Sequence, residues 1–73
     1  MEKVFLLKNL NCANCSAKIA DRIRNRQDIE AAEFTLATQQ LRVTTAVEDD
    51  AYLIDEFQAI CDAIEEGVEV EAY

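Results

Sequence analysis

The sequence predicts an α+β fold, a ferredoxin-like β-α-β-β-α-β sandwich with a four-stranded antiparallel sheet and both helices on one face. Three observations predict it. Two stretches repeat their apolar residues at helical spacing. Four short stretches carry apolar runs or two-residue alternation. The order of these six stretches along 73 residues is that of the sandwich, with no internal linker, repeat or low-complexity segment.

Val4-Phe5-Leu6-Leu7 is the first β-prone run, and Asn9-Leu10-Asn11 breaks it. From about Asn14, Ser16, Ile19, Ala20 and Ile23 form the apolar side of a helix reaching about Arg26, with Asn14 as its expected cap. Ala32, Phe34 and Leu36 then alternate with polar residues, as do Leu41, Val43 and Thr45. Residues 37–40 are short enough to join these two strands as a hairpin, although no Asn-Gly or Asp-Gly specifies the turn. Glu48-Asp49-Asp50 opens a second helix with acids where its dipole favours them. Leu53, Phe57, Ile60 and Ile64 make its stripe, widened by Ile54 and Cys61. Gly67, the only glycine, stops it, and Val68-Glu69-Val70-Glu71 alternates as the last strand.

Composition narrows the function classes. The chain is 51% hydrophobic and 30% charged, a globular rather than a disordered balance. Its apolar runs are far shorter than a membrane span, and the first residues lack the apolar core of a secretory signal. Net charge is −8, divided between +4 over residues 1–26 and −12 over residues 27–73. That field disfavours nucleic acid and suits a metal cation or a basic partner. Three cysteines are an odd number for a disulfide framework and indicate a reducing compartment. With no histidine, a metal site must use sulfur and oxygen.

Cys12 and Cys15 form a CxxC between the first strand and first helix. Three chemistries are open to it. Two buried small residues are one, but flanking Asn11 and Asn14 argue against core positions. Thiol–disulfide exchange is the second, since a helix N-terminus lowers a thiol pKa, but the chain is too short for the thioredoxin architecture. Metal binding is the third. Two thiolates at a loop–helix junction chelate a soft or borderline ion; they satisfy linear Cu(I), whereas Zn(II) requires further donors. Cys61, on the apolar side of the second helix, reads as core packing. Lys18, Arg22, Arg24 and Arg26 make a basic strip able to dock an acidic surface or moderate charge at a bound ion.

These segments also resemble a known family. "LNCANCSAKIADRI" is similar to the metal loop and first helix of heavy-metal-associated domains, which occur in copper chaperones and at the N-termini of metal-pumping P-type ATPases. "FTLATQQLRV" resembles their central hairpin, and "AIEEGVEVEA" the ending found in the zinc/cadmium/lead branch of the pumps. The resemblance implies that Cys12 and Cys15 are ligands, and that Glu65, in the loop after the second helix, is a carboxylate ligand beside them. Glu66 and Asn11 stand as alternatives for that third position. Leu10 matches the buried residue that pins the loop. Arg26 and Asp28 depart from the family, which commonly has an apolar residue and a glycine there.

The resulting expectation is a cytosolic metal-binding domain of a Zn(II)/Cd(II)/Pb(II)-exporting P-type ATPase. Residues 1–73 would be one domain at the N-terminal part of a longer transporter, on the cytoplasmic face of a membrane and without enzymatic activity of its own. Its partners would be the metal ion, other domains of the parent ATPase, a metal donor protein and, on loading, a second copy bridged through shared ligands. A free-standing Cu(I) chaperone of the same fold is the first alternative, and a small thiol–disulfide oxidoreductase the second.

Overall fold

Six elements follow one another in a computed structural model that describes all residues from Met1 to Tyr73. They are β1 (Glu2–Lys8), α1 (Ala13–Arg24), β2 (Ile29–Thr35), β3 (Gln40–Thr45), α2 (Asp50–Ile64) and β4 (Glu69–Ala72). The sheet order is β2-β3-β1-β4, and every neighbouring pair is antiparallel. Each helix is therefore a crossover that skips one strand, and α1 packs on α2 over one sheet face. This is the ferredoxin-like sandwich that the element order predicts.

Alternation sorts the strand residues. Phe5 and Leu7 on β1, Leu41 and Val43 on β3 and Val70 on β4 are buried. From the helices, Ile19, Ala20 and Ile23 meet Leu53, Phe57 and Cys61 in the same core. Phe5 and Phe57 close its centre edge to face, with ring centroids 5.4 Å apart. The axis of the α2 stripe is Leu53–Phe57–Cys61, at four-residue spacing, while Ile54, Ile60 and Ile64 are half-buried flanks. Cys61 is thus a core residue; burial pushes its thiol up to about 11 and keeps it protonated. Gln58 ties α2 to β4, donating from Nε2 to the Val68 carbonyl at 2.7 Å and accepting the Val70 N–H at 3.0 Å.

Three boundaries differ from expectation. α1 begins at Ala13 rather than Asn14, and its cap is Cys12. It ends at Arg24, because Arg26 and Asp28 pair through two 2.9 Å hydrogen bonds that close the turn into β2. The hairpin turn is Leu36–Gln39, one residue earlier than expected. Leu36 is consequently not an inward strand residue: its carbonyl accepts the Gln39 N–H at 3.3 Å, and its side chain is 38% exposed. A bulge between Ile29 and Ala31 resets the phase of β2, so that Ile29 and Ala32 both face the core.

Candidate metal centre

β1 delivers the chain to one end of the sandwich, where three connections meet. These are the β1–α1 loop (residues 9–12), the β2–β3 turn (residues 36–39) and the α2–β4 connection (residues 65–68). Leu10 is fully buried and anchors the first loop from below, as expected. Truncating such a residue costs about 2–5 kcal/mol.

Asn9 leaves β1 in the left-handed region, with φ 69°, a conformation asparagine tolerates well. Its Nδ2 donates to the Gly67 carbonyl at 3.3 Å and joins the first loop to the third. Gly67 has φ 93°, which suits glycine and turns the chain from α2 into β4. On the other side, Gln39 Nε2 donates to the Leu10 carbonyl at 3.1 Å and lies 3.5 Å from Asn11 Oδ1. Gln39 itself has φ 57°. That conformation costs a residue with a Cβ roughly 1–2 kcal/mol.

Cys12 and Cys15 are half-buried free thiols. Cys12 Sγ accepts the Cys15 backbone N–H at 3.3 Å, so sulfur does the capping expected of Asn14. Each thiol acts electrostatically on the other, and this sets their acidity. The Cys15 side chain and N–H hold the Cys12 thiol below its ordinary value. The neighbouring Cys12 sulfur, with burial, pushes Cys15 up to about 11. Cys12 therefore ionises first and Cys15 keeps its proton. A metal ion that binds both sulfurs must displace that proton.

Glu65 caps the C-terminal end of α2, its N–H donating to the Cys61 carbonyl at 2.8 Å. Its negative charge raises both thiols, so it stands in the electrostatic reach of the pair. Oε2 of this side chain is buried and has no hydrogen-bond partner. A buried polar oxygen without a partner is costly, and a cation beside the thiols is one way to satisfy it. No three His, Cys, Asp or Glu groups are already gathered as a metal cluster, so Glu65 is near the pair without being assembled with it. Glu66 is exposed, as is Asn11, whose Oδ1 faces the Gln39 amide.

The basic strip is not one surface. Arg24 pairs with Asp21 at 2.7 Å and donates to the Ala32 carbonyl, while Arg26 lies beyond the far end of α1 with Asp28 and Glu56. Lys18 and Arg22 remain exposed and outside any ion pair, and the Lys18 charge favours the Cys15 thiolate. Asn9, Gln39 and Gln58 were not marked by sequence. Only Asn9 carried a usable signal, the asparagine tolerance for left-handed backbone at a strand end.

No helix is long and apolar enough to cross a membrane. Among solved structures, the yeast copper transporter domain Ccc2a is 21% identical, covering 99% of this chain and 93% of its own, with a TM-score of 0.73. A copper-binding domain from HMA7, a P-type ATPase, is 17% identical over 99% and 92% of the two chains, with a TM-score of 0.77. Oxidized MerP from Ralstonia metallidurans CH34 is 19% identical over 99% and 94%, with a TM-score of 0.69. No curated protein sequence matches the chain. These likenesses are of fold, whereas the profile of the heavy-metal-associated domain matches the sequence itself over residues 4–68. With its paired thiols at the loop–helix junction, the chain belongs to the heavy-metal-associated domain family.

Proposed function

We propose that this domain captures a soft or borderline metal ion through Cys12 and Cys15 and passes it on by ligand exchange, as the cargo-handling part of a heavy-metal-transporting P-type ATPase. The observation that carries the reading is the thiol pair itself, with Cys12 Sγ accepting the Cys15 backbone N–H at the N-terminus of α1. The helix end favours negative charge on sulfur, and the arriving ion displaces the Cys15 proton. Two thiols at a half-exposed loop leave a coordination position for an incoming donor. An attacking thiolate or carboxylate from a partner enters there, and the ion leaves without ever being free. Binding and exchange make or break no covalent bond of a substrate, so the domain acts as a carrier rather than an enzyme.

Glu65 extends the reading to a divalent cargo, Zn(II), Cd(II) or Pb(II). Its unpartnered Oε2 and its electrostatic reach to both thiols support a carboxylate completing the set. A second reading is a Cu(I) carrier that uses the thiols alone. It is favoured by the separation of Glu65 from the pair, which leaves no three-donor cluster assembled. The copper-binding domains of similar fold agree with it. Exposed Lys18, which acts on Cys15, and exposed Arg22 one turn further along α1 suit docking of an acidic metal donor or of another domain of the parent pump.

Glu65→Ala separates the two cargoes. Under the divalent reading, Zn(II) and Cd(II) affinity falls at least about 10-fold, the lower end of what an outer partner of a metal site costs. Cu(I) affinity stays unchanged. Metal-edge spectroscopy on each loaded form then counts sulfur and oxygen neighbours directly. Unchanged divalent affinity, with sulfur-only Cu(I), leaves the copper reading standing alone.

A further inference from the structure

The β2–β3 turn reaches the thiol loop through one side chain. Gln39 occupies the left-handed region, φ 57°, where glycine or asparagine is the unstrained choice. Its backbone is fixed on both sides: its carbonyl accepts the Leu7 N–H at 2.9 Å, and its N–H donates to the Leu36 carbonyl. From this fixed base the side-chain amide reaches the Leu10 carbonyl at 3.1 Å, with Asn11 Oδ1 at 3.5 Å.

Leu10 is anchored in the core by its side chain, so the peptide that follows is held from below by apolar packing and from outside by an amide. Two residues on is Cys12. Cys15 is placed by the helix to which it belongs, whereas Cys12 is held by that helix on one side, as its cap, and by the Leu10–Asn11 peptide on the other. The Asn9–Gly67 hydrogen bond lies upstream of Leu10 and leaves this peptide ungripped. A strained residue whose one long-range side-chain contact goes to a site's loop indicates a role at that site.

We infer that Gln39 is a positioning residue for metal capture: it holds the Leu10–Asn11 peptide so that Cys12 stands preset against Cys15. Holding the loop before the ion arrives removes an ordering cost that binding would otherwise bear. Gln39 touches no metal. The inference rests on the thiol pair being the metal site and is independent of Glu65.

Two variants isolate this role, with Cu(I) as the probe because it needs only the two sulfurs. Gln39→Met retains length and backbone strain but has no donor. Gln39→Gly relieves the strain and also has no donor, so it is expected to melt higher than the methionine variant. Release of Cu(I) to a chromogenic chelator is followed for both. Each should release the ion about fivefold faster than the unmodified chain, the equivalent of one neutral hydrogen bond. The two release rates should agree although the melting temperatures differ. Rates that follow the melting order, or that match the unmodified chain, overturn the positioning role. If the unmodified chain holds Cu(I) no better than a Cys12→Ser/Cys15→Ser double variant, the thiol site itself falls, and this inference with it.

Discussion

The two ends of the sandwich are built from different interactions. At the end remote from the thiols, Arg26 binds Asp28 with two 2.9 Å hydrogen bonds and Glu56 at 3.1 Å. Lys3 reaches Asp50 at 2.6 Å, and the Met1 ammonium donates to the Thr45 carbonyl at 3.0 Å. Thr45, fully buried, donates its hydroxyl to the Asp28 carbonyl at 2.6 Å. At the thiol end the one ion pair, Lys8–Glu71 at 3.2 Å, is exposed and joins β1 to β4, and none joins the three connections. Side-chain amides of Asn9 and Gln39 hold them, with Leu10 as the apolar anchor. The difference separates stability from exchange: charged, partly buried clamps sit where nothing has to move. Neutral contacts sit at the thiol end, where the proposed ligand exchange takes place.

Three changes would break or sharpen that division. The largest effect is expected from Cys12→Ser. Cu(I) affinity should fall by more than about 100-fold, beyond the cost of losing an outer partner of a metal site. The serine hydroxyl should still cap α1, so the melting temperature should hold. Competitive chelator titration and thermal denaturation together measure this. A large drop in melting temperature would mean that the thiol end bears stability after all.

Arg26→Met is the reciprocal change. Its side chain is 21% exposed and that of Asp28 25%, so the acid would be left half-buried and unpaired. A loss of about 2 kcal/mol, or about 10 °C in melting temperature for a domain of this size, is expected. Cu(I) affinity should be unchanged. A variant that melts normally but binds metal poorly would reverse the assignment of the two ends.

The smallest effect is present at neutral pH and removed by acid. Arg26 holds the Asp28 carboxyl below its ordinary value of 3.8. A depressed carboxyl contributes stability that is complete above its unfolded pKa and is lost as pH falls through the folded one. Asp28→Asn should therefore melt below the unmodified chain at neutral pH, and the two curves should converge below about pH 4. A gap that persists unchanged into strong acid would remove Asp28 from the account.

The same division explains what was legible in sequence. The core was, because periodicity reports burial: Phe5, Leu7, Ile19, Ile23, Leu53 and Phe57 all stand where alternation or helical spacing put them. Leu36 failed because a four-residue turn, unmarked by glycine, ends the strand at Thr35. Arg26 and Asp28 looked like two separate departures from the family pattern. In space they form one compensating pair, which spacing alone does not reveal. Of the thiol end, the cysteines and Leu10 were legible as local motif. The grip of Gln39 was not, since it joins residues 29 positions apart through a side chain with no characteristic signal.

Cys12 carries two duties on one sulfur, capping α1 and belonging to the thiol pair. The duties tolerate different replacements, and this constrains how such a domain ages in evolution. Serine satisfies the helix and fails the metal, while alanine fails both. A lineage that abandons metal handling therefore has a gentle exit through Cys12→Ser, with its fold preserved. A descendant with that one change and an intact Cys15 would be a retired carrier still wearing the shape of a working one.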